Sequence, residues 1–201
     1  MSLIALRRAL TEPATPGIGP LPEDVTRLLL DLEAPPRLAA HLRAVHDTAR
    51  GLVDAFGETL PRLRFDREEV LFGAATHDVG KVIHTGELSG PGHAHEQAGY
   101  ELLRTHGVDA RLARFARNHA TWTAADISTE DLLVSLADKI WKAKRVGDLE
   151  DRVVERIRRD CGGSPWEAFM ALDDVLDALA RDADDRLAFQ ARHPITVVTG
   201  P

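Results

Sequence analysis

The feature that most restricts the fold of this chain is the spacing of its apolar residues, which recur every three or four positions. One such stripe consists of Leu38, Leu42, Val45, Ala49, Leu52 and Phe56. This spacing places apolar side chains on one face of an α-helix, whereas a half-buried strand would alternate at every second residue. The pattern predicts an all-α fold in which amphipathic helices bury their apolar faces against one another.

Capping residues and glycines divide the rest of the pattern into further helices. The predicted helices run from Asp66 to His77, from about His93 to Thr105, from Asp109 through Trp122, from Ser128 or Thr129 through Trp141, from about Glu150 to Asp160, and from Ser164 through Leu187. Gly80 is expected to take the left-handed conformation at a helix end, and Gly147 is expected to terminate the helix that contains Trp141.

A length of 201 residues suits one domain. Pro and Gly are frequent from Thr11 to Pro22, so we expect an irregular lead-in over 1–20. A core domain over 21–148, C-terminal helices over 149–192 packed on it, and a tail over 193–201 complete the predicted division. Within the tail, Ile195 to Val198 favours β-structure. The apolar stripe of the last helix could instead be buried on a second copy, in a homodimer.

Composition excludes several classes of partner. The formal net charge of −7 argues against nonspecific binding to nucleic acid or to an anionic membrane, since both are held mainly by clustered positive charge. No apolar stretch approaches the roughly 20 residues of a membrane span.

The single Cys161 excludes an intramolecular disulfide and a Cys-rich zinc finger. We therefore expect a reducing, cytoplasmic environment.

A short motif, His77-Asp78-Val-Gly-Lys81, suggests where the chemistry lies. The chain also contains His46-Asp47, and such a dipeptide arises easily by chance. Only the second pair is followed by Gly and Lys at a predicted helix end, with a Gly-rich loop from His84 to Gly92 beyond it. The context of the second pair, and not the dipeptide itself, indicates a site.

Two carboxylates are predicted in apolar surroundings. Asp78 follows the apolar run from Val70, and Asp138 lies within Leu132–Trp141. Burial of an unpaired charge costs several kcal/mol, so each carboxylate needs a partner, which a metal ion would supply. For Asp138 an ion pair with Lys142, one turn further along the helix, would satisfy the same need equally well.

Several histidines could supply further metal ligands. His41 and His46 lie at similar angles on opposite edges of the same apolar stripe, so helical geometry does not choose between them. His95 and His119 lie on the inward faces of their predicted helices, where either could be an ordinary hydrogen-bonded core histidine.

The segments His41-Leu-Arg-Ala-Val45, Thr-His77-Asp78-Val-Gly-Lys and Leu-Ala-Asp138-Lys resemble the motifs of the HD-domain phosphohydrolase superfamily. The resemblance covers about residues 37–148, and it favours His41 over His46. It implies an HD-domain helical bundle with a C-terminal helical extension. It also implies a set of ligands like that of the superfamily's two-metal members: His41, His77, Asp78, His95, His119 and Asp138. The four ligands other than His95 and His119 would hold one metal.

The ligand chemistry and the resemblance together suggest the activity. Imidazole and carboxylate ligands suit one or two divalent Mn, Fe, Co, Ni or Zn ions better than Ca²⁺. The resemblance implies hydrolysis of a phosphate ester or anhydride of a nucleotide or related small molecule, with Asp78 bridging the ions. Two alternatives are a di-iron oxygenase that uses the same ligands and a noncatalytic metal-binding or ligand-binding helical module.

Basic residues near the predicted ligands are candidates for binding a substrate phosphate. Lys81 follows the ligand pair directly and is also a candidate for catalysis together with Asp78, because its charge could neutralise a phosphate. Lys139 and Lys142 are further candidates, while Arg43 and Arg117 are weaker ones of the same kind.

Overall fold

The computed structural model describes residues 3–14 and 17–195. Within these ranges the chain forms ten α-helices, two short 3₁₀-helices and no strand, which confirms the predicted all-α fold. The α-helices are α1 (Leu3–Thr11), α2 (Glu23–Asp31), α3 (Pro36–Thr59), α4 (Arg67–Thr76), α5 (Ala94–Thr105), α6 (Ala110–Asn118), α7 (Thr129–Ile140), α8 (Gly147–Cys161), α9 (Pro165–Ala180) and α10 (Ala183–Ala191). The 3₁₀-helices are Val79–Val82 and Thr85–Leu88. No described helix is long and apolar enough to cross a membrane.

Helix α3 is the centre of the fold. It is 24 residues long, and α1, α4, α7, α9 and α10 all pack against it. Its first half joins a core cluster with α1 and α2, and its second half, from Leu52, joins another cluster with α7, α8 and α9. Buried residues therefore occur around most of its circumference, which explains why a helix this long is stable in the middle of the protein.

Helices α4, α6, α7 and α9 begin where their capping residues predict. The Asp66 side chain accepts a hydrogen bond from the backbone of Glu69 at the start of α4, and Asp109 caps α6 in a similar way. Ser128 and Asp131 form a reciprocal capping box at the start of α7. Helix α5 packs against both α6 and the 3₁₀-helix Val79–Val82, so it connects the segment after α4 to α6.

The N-terminal segment differs from the prediction. Residues 3–11 form helix α1, so an irregular lead-in over all of 1–20 is wrong for this part. Leu6, Ala9 and Leu10 are spaced for one helical face and are buried against α3, whereas the Pro- and Gly-rich sequence begins only after α1 ends. In the predicted tail, Ile195 is the last described residue, and the rest of the β-prone stretch to Val198 lies outside the described residues.

Two predicted helix boundaries are also wrong. Helix α7 ends at Ile140, and Gly147 is the first residue of α8 rather than a terminator. The reason is that Glu150 accepts a hydrogen bond from the backbone of Val146 at 2.8 Å, which fixes the start of α8 there. The predicted long last helix is divided into α9 and α10, because Leu172 and Leu176 belong to one core cluster while Phe189 belongs to the other.

Gly80 is needed for a different reason from the one predicted. It lies in the 3₁₀-helix Val79–Val82 and is not among the described glycines with positive φ. A Cβ atom on Gly80 would lie 2.0 Å from the carbonyl oxygen of His95 and 2.6 Å from the nitrogen of Gly99. Gly80 therefore allows the segment after α4 to lie directly against the backbone of α5.

Candidate metal centre

Six buried or nearly buried side chains meet at the centre of the bundle. They form two groups of possible metal ligands, one containing His41, His77 and Asp138 and the other containing Asp78, His95 and His119. Helices α3, α5 and α7 supply His41, His95 and Asp138, while the remaining three residues lie at the C-terminal ends of α4 and α6. The structure thus brings together all six residues predicted as ligands.

Asp78 lies between the two groups, and each of its oxygens faces one of them. Its Oδ2 is 3.1 Å from Nε2 of His41 and 3.6 Å from Nε2 of His77. Its Oδ1 is 3.1 Å from Nε2 of His95 and 3.5 Å from Nε2 of His119. Asp138 completes the first group, with Oδ1 3.4 Å from Nε2 of His77 and 3.8 Å from Nε2 of His41.

All four histidines turn the same ring nitrogen towards the centre. The Nδ1 atoms of His77 and His119 lie 3.0 Å from the carbonyl oxygens of Ala74 and Ala116, respectively. Nδ1 of His95 pairs with the carboxylate of Glu87, and Nδ1 of His41 lies 3.3 Å from Oε1 of Gln190. With an acceptor at each Nδ1–H, the lone pair of each Nε2 is available for a metal ion.

The electrostatics around Asp78, Asp138 and His41 suit metal binding. Burial raises the pKa of Asp78, but the nearby His77, hydrogen bonds from His41 and His95, and the charge of Lys81 hold that pKa well below its usual range. Burial likewise opposes ionisation of Asp138, and the hydrogen bond with His77 is the main cause that lowers its pKa overall. Burial lowers the pKa of His41. At neutral pH these carboxylates are therefore ionised and this imidazole is neutral, as metal ligands must be.

The pKa values of the two histidines in the second group are shifted in opposite directions. Burial and the nearby His77 lower the pKa of His119 to about 4. Burial also lowers the pKa of His95, but hydrogen bonds with Asp78 and Glu87 outweigh it and raise that pKa overall. The donor set of four imidazoles and two ionised carboxylates, with ligand atoms converging in a buried space, fits transition-metal ions of the Mn-to-Zn series.

A cavity of about 140 Å³ opens onto the first group and has positively charged walls. Its lining residues are Arg37, His41, Asp78, Lys81, Leu88, Trp141, Lys142 and Gln190. Lys81 donates to Oδ2 of Asp78 at 2.5 Å, and Lys139 makes a 2.5 Å bond to Oδ2 of Asp138. Positive charge in an acidic protein is thus concentrated at the mouth of the candidate site.

Of the residues predicted to bind substrate, Lys81 and Lys142 line this cavity, whereas Arg43, Arg117 and Lys139 do not. Arg43 is buried and donates to the carbonyl oxygens of Ala9, Glu12, Ile18 and Gly19, so it anchors the N-terminal segment. Arg117 is exposed and lies 4.6 Å from the centroid of the Tyr100 ring. Each arginine is two positions from a ligand histidine, and a separation of about 200° turns it to the opposite side of the helix.

His46 lies away from both groups. It lines a separate groove with residues that include Pro22, Asp24 and Phe72. The geometry therefore favours His41 over His46, a choice that the helical pattern left open.

Three residues of the site were not predicted from the sequence. Arg37 lies one helical turn before His41, and this spacing could have indicated it. Glu87 lies in the Gly-rich loop, where a single carboxylate is an ambiguous signal. Gln190 is 149 positions from its partner His41 and carries no local sequence signal.

A comparison with protein families gives one match, to a family described as the HD domain, over residues 38–141. The match covers just over half of the 201 residues and contains all six possible ligands. No curated protein and no solved structure matches the chain.

Proposed function

This chain belongs to the HD-domain family, and from that premise we propose that it hydrolyses a phosphate ester or anhydride of a nucleotide or a related small molecule. The observation that best supports the proposal is the position of Asp78, whose two oxygens face two separate groups of ligands. A carboxylate placed in this way is suited to bridge two metal ions.

The six side chains divide naturally between two ions. His41, His77 and Asp138, with Oδ2 of Asp78, would hold one ion, while His95 and His119, with Oδ1 of Asp78, would hold the other. When bound, divalent ions of the Mn, Fe, Co, Ni or Zn type supply Lewis acidity to a phosphoryl oxygen and lower the pKa of water. The chain itself contributes the fixed positions of the ligands.

The basic residues around the cavity support an anionic substrate. Arg37, Lys81 and Lys142 line it, and their charges would attract and orient phosphate oxygens. Lys81 is already adjacent to Asp78, so a phosphate that meets Lys81 would lie beside the ligand groups. This arrangement favours an anionic substrate that is bound through its phosphate.

The proposal is tested by assaying the purified protein against a panel of phosphate monoesters, cyclic nucleotides and dinucleoside polyphosphates. Mn²⁺, Fe²⁺, Co²⁺ or Ni²⁺ is added, under air and under nitrogen. We expect phosphate-bond cleavage under both atmospheres, with activity lost in Asp78→Ala and kept in Asp174→Ala, which removes an exposed carboxylate of α9.

The remaining outcomes identify the alternatives. A product that forms only under air, with no phosphate bond cleaved in any substrate, would favour the di-iron oxygenase. Tight metal binding with no turnover of either kind would favour the noncatalytic module.

A further inference from the structure

Helix α10 lies outside the segment that matches the HD-domain family, yet it reaches the candidate metal centre. Its residue Gln190 places Oε1 3.3 Å from Nδ1 of His41 and forms part of the cavity wall. The matched segment, residues 38–141, therefore does not contain every side chain that touches a ligand of the site.

The position of His41 in its helix explains why it needs this distant partner. His77 and His119 lie at the C-terminal ends of α4 and α6, where carbonyl oxygens of the last turn lack partners within the helix. Each of these histidines bonds the carbonyl three positions earlier. His41 lies inside α3, where the neighbouring carbonyls already accept bonds from the helix backbone.

Several contacts hold Gln190 in place. Arg37 of α3 donates to the carbonyl oxygens of His193 at 2.7 Å and of Ala191 at 3.2 Å, which ties the end of α10 to the helix that carries His41. Arg186 of α10 donates to the carbonyl oxygen of Trp141 at 2.7 Å. The ring of Trp141 in turn packs edge-on against His41, with centroids 5.0 Å apart.

We propose that Gln190 is a positioning residue for the metal centre, which acts by accepting a hydrogen bond from Nδ1–H of His41. This bond selects the tautomer in which Nε2 of His41 carries a lone pair, and it fixes the plane of the ring towards Asp78 and Asp138. The inference rests on the proposed function, since it assigns a partner to one of the proposed ligands. It also makes the C-terminal extension part of the active site.

The test measures metal binding rather than turnover. Protein freed of metal with a chelator is titrated with Mn²⁺ by calorimetry, and Gln190→Leu, Gln190→Glu and Gln97→Leu are compared with the unsubstituted protein. Leu has a volume similar to that of Gln but cannot accept a hydrogen bond, whereas Glu still accepts one. Gln97 is exposed on α5 and serves as the matched control.

We expect Gln190→Leu to weaken Mn²⁺ binding by about 10- to 100-fold, as is usual when the hydrogen-bond partner of a metal-ligating histidine is removed. The weakened binding step should be the one that His41→Ala abolishes. Gln97→Leu should bind as the unsubstituted protein does, and Gln190→Glu should bind at least as tightly, because a carboxylate at Nδ1–H also increases the basicity of the imidazole. Circular dichroism should show all variants folded.

Unchanged affinity in Gln190→Leu would overturn the inference while leaving the proposed function intact. Equal weakening in Gln190→Leu and Gln190→Glu would also overturn it, because Gln190 would then act through packing alone. If the unsubstituted protein binds no metal, the proposed function fails and the inference fails with it.

Discussion

Lys81 pairs with the candidate ligand Asp78 and also lines the cavity, so its substitution can separate binding of substrate from binding of metal. Lys81→Ala should keep its metal but lose about ten- to hundred-fold in kcat/KM, since a charge-assisted contact with phosphate contributes about 1.5–3 kcal/mol. Metal analysis and steady-state kinetics measure the two effects, with the exposed Lys144→Ala as control. An unchanged kcat/KM would mean that Lys81 serves only its ion pair with Asp78 and that Lys142 or Arg37 binds the phosphate.

His46 is expected to affect the pH dependence of stability and not metal binding. Burial lowers its pKa to about 4, so the folded protein favours the neutral ring while the unfolded chain, with a histidine pKa near 6.5, is protonated first. The unfolded state therefore binds more protons between these pH values, and the stability that His46 contributes is lost as the pH falls through that window.

Metal-free protein should thus lose about 2 kcal/mol through His46 between pH 7 and pH 4.5. Urea unfolding of the unsubstituted protein and His46→Leu at both pH values measures this, with the exposed His106→Leu as control. His46→Leu should show a smaller loss than the other two proteins. An equal loss in all three would contradict the assignment of a buried neutral ring.

At this scale the sequence identified the side chains that the structure brings together better than it identified their surroundings. The resemblance to the HD-domain superfamily implied the set of six, whereas burial in an apolar helix indicated only that Asp78 and Asp138 need a partner. Arg43 and Arg117 lie two positions from His41 and His119, and two positions along a helix nearly reverse the direction of a side chain. The contact between His41 and Gln190 depends on tertiary structure alone.

At the scale of secondary-structure elements, the backbones of the 3₁₀-helix Val79–Val82 and of α5 lie so close that no Cβ atom fits between them at Gly80. Gly80 and Gly99 allow the two backbones to meet, and α5 carries the ligand His95. Gly80→Ala should cost about 3 kcal/mol or more, because its Cβ would overlap a backbone carbonyl that cannot move freely. It should also lower the occupancy of the second ligand group, since α5 would be displaced.

Gly86→Ala is the matched control for this prediction. Gly86 lies in the next 3₁₀-helix, and a Cβ there would meet no atom within 4 Å. Thermal unfolding and metal analysis of the two variants measure the difference. If Gly80→Ala were as stable as Gly86→Ala, close backbone packing at this crossing would be wrong.

Helix starts were more predictable than helix ends. Asp66, Asp109, Ser128 and Ser164 cap their helices through local hydrogen bonds that can be recognised in the sequence. The break between α9 and α10 is different, because it occurs where the chain leaves one core cluster for the other. No local residue pattern encodes which cluster a distant apolar residue will join.

In the whole molecule, the candidate metal centre brings side chains from five helices to one point. Ligands come from α3, α5 and α7 and from the ends of α4 and α6, so bound metal should stabilise the fold by linkage. Saturating Mn²⁺ at about 100 times its Kd should contribute roughly 2.7 kcal/mol per ion and raise Tm by several degrees. Thermal scans with metal and with chelator measure the shift. An equal Tm in both conditions would indicate that no ion binds the folded state.

The central claim is that Asp78 joins two groups of ligands into one metal centre, and elemental analysis of purified protein tests it most directly. We predict up to two divalent transition-metal ions per chain, retained in His46→Ala. Asp78→Ala should lose its metal because the ligand that faces both groups is gone, and His41→Ala should lose the ion of the first group. Full metal occupancy in Asp78→Ala, or loss of metal from His46→Ala with retention in His41→Ala, would contradict the account.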